Sequence, residues 1–142
     1  MAAVVSYDDV ETGTALPPAR YPVQRADLVR YAGASGDFNL IHWNERVARE
    51  VGLPDVIAHG MFSMAAAVRL VTDWAGDPAA VVEYGVRFTK PVVVPDDGTG
   101  AVIEVAGTVK KKLDGRQVQV DLVAVSGGEK VLGQARAIVQ LS

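Results

Sequence analysis

The chain contains no cysteine and only two histidines, His42 and His59. Without thiols it can build no disulfide framework, no Cys-ligated zinc site, no iron–sulfur cluster and no thiol nucleophile. Two histidines cannot form a three-His zinc site, and neither lies in an HExxH run. Charge is scarce and nearly balanced: 14 Lys and Arg face 17 Asp and Glu, a net −3. That lacks the concentrated basic face of a duplex binder, so nucleic acid is not expected as a partner. Aromatic residues make up only 6% of the chain. No apolar run approaches the roughly 18 residues of a membrane span. The opening MAAVVSYDDVE has no basic region and soon turns acidic, so no signal peptide is expected. The expected setting is the cytoplasm, with no membrane partner.

What is present is 49% hydrophobic residue, rich in valine and alanine, with only 22% charged. This composition belongs to a globular protein, and 142 residues fit one domain spanning 1–142. The C-terminal half carries period-two patterning. Val82, Tyr84, Val86 and Phe88 alternate with Glu83, Gly85, Arg87 and Thr89. Similar alternation covers Ile103 to Lys110, Gln117 to Ala124 and Val131 to Leu141. Asp114-Gly115 and Gly127-Gly128 read as two-residue hairpin turns, and Pro95 to Gly98 as a longer turn between the first two strands. The expectation is an antiparallel meander with one buried face.

Ahead of it, Gly60 to Ala75 reads GMFSMAAAVRLVTDWA, a helix apolar on nearly all sides, with Arg69 and Asp73 an i,i+4 pair. Such a helix must be buried on nearly all sides, yet it is too short to cross a bilayer. The strands that follow are the candidate wrapping. The resulting expectation is an α+β hotdog fold, a curved antiparallel sheet around a central helix. Two shorter helices precede it. One runs from Arg25 to Ala32. The other runs from Glu45 to Val51, with Asn44 as N-cap and Gly52 after its end.

Chemistry concentrates between those two helices, in Ser35-Gly36-Asp37-Phe38-Asn39-Leu40-Ile41-His42. A carboxylate and an imidazole five residues apart can converge on one water if the loop curls, supplying a pair of proton-transfer groups. The same residues read equally as an Asx turn at Asp37 and Asn39, with His42 capping a helix start. The second histidine stands at the start of the central helix, in Ala58-His59-Gly60-Met61. Unpaired N–H groups there suit an oxyanion, and Gly60 lets a carbonyl oxygen come close. His59 itself reads as a structural hydrogen-bonding residue.

Three segments carry a resemblance: Tyr31 to His42 followed by Ala48, Ala58-His59-Gly60-Met61, and Arg87-Phe88-Thr89-Lys90-Pro91-Val92. The chain resembles the MaoC-like (R)-specific enoyl-thioester hydratases. Within them it is most similar to the HadB-type subunit of actinobacterial (3R)-hydroxyacyl-ACP dehydratases. The resemblance implies that Asp37 and His42 are the catalytic pair and that Asn39 supports their loop. It also implies that the Gly60 N–H binds the thioester oxygen and that Ser63 lines the acyl site. Leu40 stands where the family usually has proline. The implied reaction is reversible dehydration of a (3R)-3-hydroxyacyl thioester by metal-free, cofactor-free acid–base chemistry. The implied substrate is an acyl thioester on acyl-carrier protein or coenzyme A. The implied assembly is a dimer, either a homodimer or a heterodimer with a HadA/HadC-like subunit.

An acidic carrier would need a local basic patch. Lys110, Lys111, Lys112 and Arg116 flank one hairpin turn, and Arg87 and Lys90 are alternative phosphate contacts. The hairpin cluster reads more readily as a solvated tip whose lysines discourage edge pairing. Two other functions compete. A hotdog thioesterase would use a carboxylate on the central helix, but Gly60 to Val68 contains none. A non-catalytic acyl-binding subunit would have no use for an intact Asp37 and His42.

Overall fold

A computed structural model describes residues 3–142. Three helices, α1 (Arg25–Ser35), α2 (Glu45–Glu50) and α3 (Gly60–Ala75), accompany six strands. These are β1 (Ala15–Val23), β2 (Val81–Phe88), β3 (Ala101–Leu113), β4 (Gln117–Ser126), β5 (Glu129–Lys130) and β6 (Leu132–Gln140). One antiparallel sheet runs in the order β1-β3-β4-β6-β2, with β5 paired to β4. It curls around α3, which touches all five long strands. This is the expected hotdog fold.

The core follows from the alternation. Ile103, Val105 and Val109 of β3 turn inward with Val118, Val120 and Leu122 of β4 and Ala135, Ala137 and Val139 of β6. Against them α3 buries Ala66, Ala67, Leu70, Val71 and Ala75. Burying Leu70 and Val71 is worth about 1.5–3 kcal/mol each. Gly107 sets the spacing between layers. A Cβ there would lie 3.1 Å from methyl groups of both Leu70 and Leu122. Its absence lets the helix sit close to β3.

Several expectations change. The sheet is not a simple meander: β2 pairs with β6, and β1, a strand not foreseen, occupies the opposite edge beside β3. Pro17, Pro18 and Pro22 disguise β1, because proline cannot donate to a ladder and is tolerated at an edge. A register shift between Leu16 and Ala19 absorbs the first two. Helix α1 runs on to Ser35 and stops where Gly36 takes φ 77°, three residues beyond the predicted end. At the β3–β4 hairpin the left-handed residues are Gly115 and Arg116, so the turn lies one residue later than Asp114-Gly115 implies. Gly127 and Gly128 both take positive φ, as expected. Finally, α3 is not buried on nearly all sides, for one face stays open. Met61, Ala65, Arg69 and Asp73 form an exposed stripe, and Arg69 lies over the Tyr21 ring at 4.8 Å.

The segment between α1 and α3 is held by polar contacts. Arg25 donates to Glu45 and Asp55, both at 2.9 Å, and to the Val94 carbonyl. Residues 56–58 then run as a strap beside residues 92–94. Val94 N–H donates to the Val56 carbonyl at 3.0 Å, and Ala58 N–H to the Val92 carbonyl at 2.9 Å. On the strap's other side Ile57 N–H donates to the Ile41 carbonyl at 3.1 Å. This fixes the strap beside the loop that carries Asp37 and His42.

Candidate active site

The loop after α1 curls through short-range hydrogen bonds. Asp37 Oδ1 accepts from Asn39 N–H at 3.1 Å, and Asn39 Oδ1 accepts from Ile41 N–H at 3.3 Å, capping a single 3₁₀ turn over Leu40–His42. Trp43 Nε1–H donates to the Phe38 carbonyl at 3.0 Å. Asp37 and Asn39 thus make the expected Asx turns, but His42 caps no helix start: Asn44 caps α2, and the His42 ring turns to the Ile57 carbonyl instead. The turn that Asp37 and Asn39 make is what swings His42 back toward Asp37.

His42 is buried, and its Nδ1–H donates to the Ile57 carbonyl on the strap at 2.7 Å. That bond fixes the tautomer and leaves Nε2 with a lone pair. Nε2 lies 3.9 Å from Asp37 Oδ2, and the Asp37 side chain is 52% exposed. The separation is too long for a direct hydrogen bond, so the two groups face one small volume in which a water or hydroxyl oxygen can touch both. Burial pushes the His42 imidazole below its ordinary value. The Ile57 carbonyl opposes that shift, the neighbouring His59 adds to it, and Asp37 opposes it again.

A cavity of about 330 Å³ opens beside this pair, lined by His42, Gly60, Ser63, Phe88, Lys90 and Val131 among others. Gly60 is the first residue of α3, and no side chain among the described residues caps that helix, so its leading N–H groups are left for a guest. Ser63 is buried one turn further on. His42, Gly60 and Ser63 thus share the cavity wall, while Asp37 and Asn39 belong to the loop at its edge. Larger grooves, of about 710 and 840 Å³, lie elsewhere and contain none of these residues.

Two contacts around the pair have no counterpart in the sequence reading. The Ile57 carbonyl orients His42, and the Phe88 ring stands 3.1 Å from where a Cβ on Gly60 would be. The first involves a backbone atom, which no residue pattern announces. Asp37, His42 and His59 bring their ligand atoms within 4.8 Å of one another. The two imidazoles are stacked, however, with centroids 3.8 Å apart and planes 21° off parallel. Their in-plane lone pairs run side by side, which suits convergence on one tetrahedral ion poorly. The hairpin lysine cluster also shrinks. Lys112 Nζ donates to the Tyr7 and Val10 carbonyls at 2.7 and 2.8 Å, and Arg116 is engaged by Asp8 and the Ser142 carbonyl.

A curved antiparallel sheet around one helix defines a hotdog fold, and here an acid and an imidazole face one small volume near the start of that helix. The chain belongs to the MaoC-like domain family, whose description matches residues 10–127. It is 46% identical over 79 residues to 3-hydroxyacyl-thioester dehydratase X of Mycobacterium tuberculosis, covering 56% of this chain and 27% of that one. It is 32% identical over 107 residues to the (R)-specific enoyl-CoA hydratase of Rhodospirillum rubrum, covering 75% of this chain and 73% of that one. A solved MaoC-like dehydratase superposes with TM-score 0.93 at 43% identity, covering 96% of this chain and 42% of that one. The chain thus spans about a quarter of the mycobacterial relative's length and less than half of the solved chain.

Proposed function

We propose that this chain catalyses reversible loss of water from (3R)-3-hydroxyacyl thioesters, the reverse being hydration of trans-2-enoyl thioesters. One observation carries the reading. An imidazole with a free Nε2 lone pair and a carboxylate 3.9 Å away adjoin a cavity that ends on an uncapped helix start. In the dehydration direction the Asp37–His42 pair takes the C2 proton, and negative charge develops on the thioester oxygen. The Gly60 N–H and the helix dipole stabilise that charge. The C3–O bond then breaks, the pair returns a proton to the departing hydroxyl, and water leaves. Asn39 keeps the loop curled, and Ser63 shapes the acyl end. No step needs a metal or an organic cofactor.

The acyl group would arrive on a pantetheine arm, from acyl-carrier protein or coenzyme A, in fatty-acid-type chain elongation. Lys90, on the cavity wall, is the favoured phosphate contact now that Lys112 and Arg116 are engaged elsewhere. A second hotdog domain, a copy or a related subunit, would complete the unit. Edge strand β2 leaves Val82 and Phe88 54% and 55% exposed. No described helix is long and apolar enough to cross a membrane. The test is one purification. Light scattering measures the assembly, and hydration of short and long enoyl thioesters is then assayed with and without a partner subunit. Asp37→Asn and His42→Ala should nearly abolish hydration while the fold persists. No hydration by a well-folded, correctly partnered preparation would sink the reading.

A further inference from the structure

His59 takes no part in the chemistry just described, yet it touches both members of the pair. It is 1% exposed. Its Nε2–H donates to the backbone carbonyl of Asp37 at 3.0 Å, across 22 residues of sequence. Its ring face lies on the His42 ring at 3.8 Å. Tyr31 of α1 tilts against it at 4.7 Å and itself meets Phe62 of α3 edge-on, so the imidazole has the Tyr31 and His42 rings as neighbours. The remaining ring nitrogen, Nδ1, is buried and has no hydrogen-bond partner among the described residues. A histidine serving only as a helix cap would turn a nitrogen onto the first N–H groups of α3, and this one does not. A buried nitrogen with no partner is a folding cost that a phenylalanine would avoid. The imidazole gains in return a donor aimed at the Asp37 loop and a flat face against His42.

We infer that His59 is a positioning residue that aims both proton-transfer groups at once. Its Nε2–H fixes the Asp37 backbone and its ring plane fixes that of His42. The loop needs such a tie, because no proline between Gly36 and Trp43 pre-sets its backbone. For its effect on turnover the inference rests on the dehydratase reading, but the geometry can be tested without turnover. The charged and titratable groups around His42 are Asp37 from the loop, His59 from the start of α3 and Lys90 on the cavity wall, with Tyr31 behind His59.

Two substitutions separate the two contacts. His59→Phe keeps a stacking face and loses the donor, and His59→Gln keeps a donor and loses the ring. Each is compared with wild type by hydration of crotonyl-CoA against pH, and by NMR titration of the His42 ring in the substrate-free protein. For His59→Phe, kcat should fall roughly 10- to 100-fold with KM little changed, the expected scale for a misaimed reacting group. The His42 midpoint and the acid limb of the rate profile should move together to higher pH, because His59 no longer opposes a charge on His42. His59→Gln should recover part of kcat. Wild-type kcat with an unmoved His42 midpoint in His59→Phe would overturn the inference. So would a loss that matches the unfolded fraction and leaves the pH limb in place. Should His59→Phe not fold, an unmoved His42 midpoint in His59→Gln overturns it instead. If wild type hydrates nothing, the dehydratase reading falls alone, and the NMR midpoints still decide the positioning role.

Discussion

Replacing Gly60 by alanine adds one methyl group at the place where the thioester oxygen is proposed to sit. The backbone tolerates it, since Gly60 is not among the residues with positive φ. The new Cβ would meet three Phe88 ring carbons at 3.1, 3.2 and 3.3 Å, a few tenths of an ångström too close. That ring is 55% exposed and can swing aside. Relief of glycine's unfolded-state entropy works the other way, by about 0.4–1 kcal/mol. Net stability should therefore stay within about 1 kcal/mol, a melting shift of roughly 2–4 °C at this size. Activity should respond far more. The methyl and the displaced ring crowd the approach to the Gly60 N–H, and losing one oxyanion donor costs about 10²–10³ in kcat. The assay is loss of enoyl-thioester ultraviolet absorbance during hydration, with calorimetry on the same preparation. An alanine variant that melts like wild type and turns over like wild type would refute placing the oxygen at this N–H. A fall in activity matched by a fall in stability would mean that the methyl acts through the fold instead.

Other substitutions probe other parts of the molecule. Asp37→Asn preserves an oxygen for the Asn39 N–H, so the variant should melt normally while kcat drops by roughly 10²–10⁴, the range for a proton-transfer group. The depressed His42 pKa links folding to pH. The unfolded chain takes up a proton on this ring near the ordinary value while the folded chain resists. Stability from this residue is therefore full above that value and declines as pH falls from it toward the lower folded one. Denaturant midpoints measured across mildly acidic pH should show this slope in wild type, and His42→Gln should lose it. Lys112→Met removes two charge-assisted bonds to the Tyr7 and Val10 carbonyls and a cation over the Tyr7 ring at 3.9 Å. About 2–3 kcal/mol of stability should go with them, read by chemical denaturation, with hydration unaffected.

What could be read in the sequence divides along physical lines. Helix α3 was legible to the residue, because a long apolar run ends at a glycine that takes φ 73°. Helix α2 was legible from its cap, since Asn44 Oδ1 does accept from Val47 N–H. Strand β1 was hidden by prolines that only its edge position tolerates. The pairing of β2 with β6 left no trace, because alternation states which face is buried and not which neighbour supplies the hydrogen bonds. Asp37 and His42 stood out as residue types in a glycine-bounded loop. Their surroundings did not. The Ile57 carbonyl that sets the His42 tautomer and the Asp37 carbonyl that His59 holds are backbone atoms, placed by tertiary structure alone.

The sheet order also bears on when the proposed site would assemble as the chain folds. Strands β3, β4 and β6 follow one another closely and can pair as local hairpins. The edge strands must travel: Ala15 of β1 pairs with Thr108, and Val81 of β2 with Val139. Non-local closures of this kind are slow. The Asp37 loop, the strap and the start of α3 all lie in the chain between those two strands, so they reach their final places only when both have docked. Enzymatic competence should therefore be among the last properties to return on refolding, trailing the circular dichroism of the central hairpins. Activity that recovered in step with the first β signal would mean that the site assembles ahead of its frame. Otherwise, in a correctly partnered preparation that does hydrate enoyl thioesters when fully folded, the return of turnover marks the docking of the last edge.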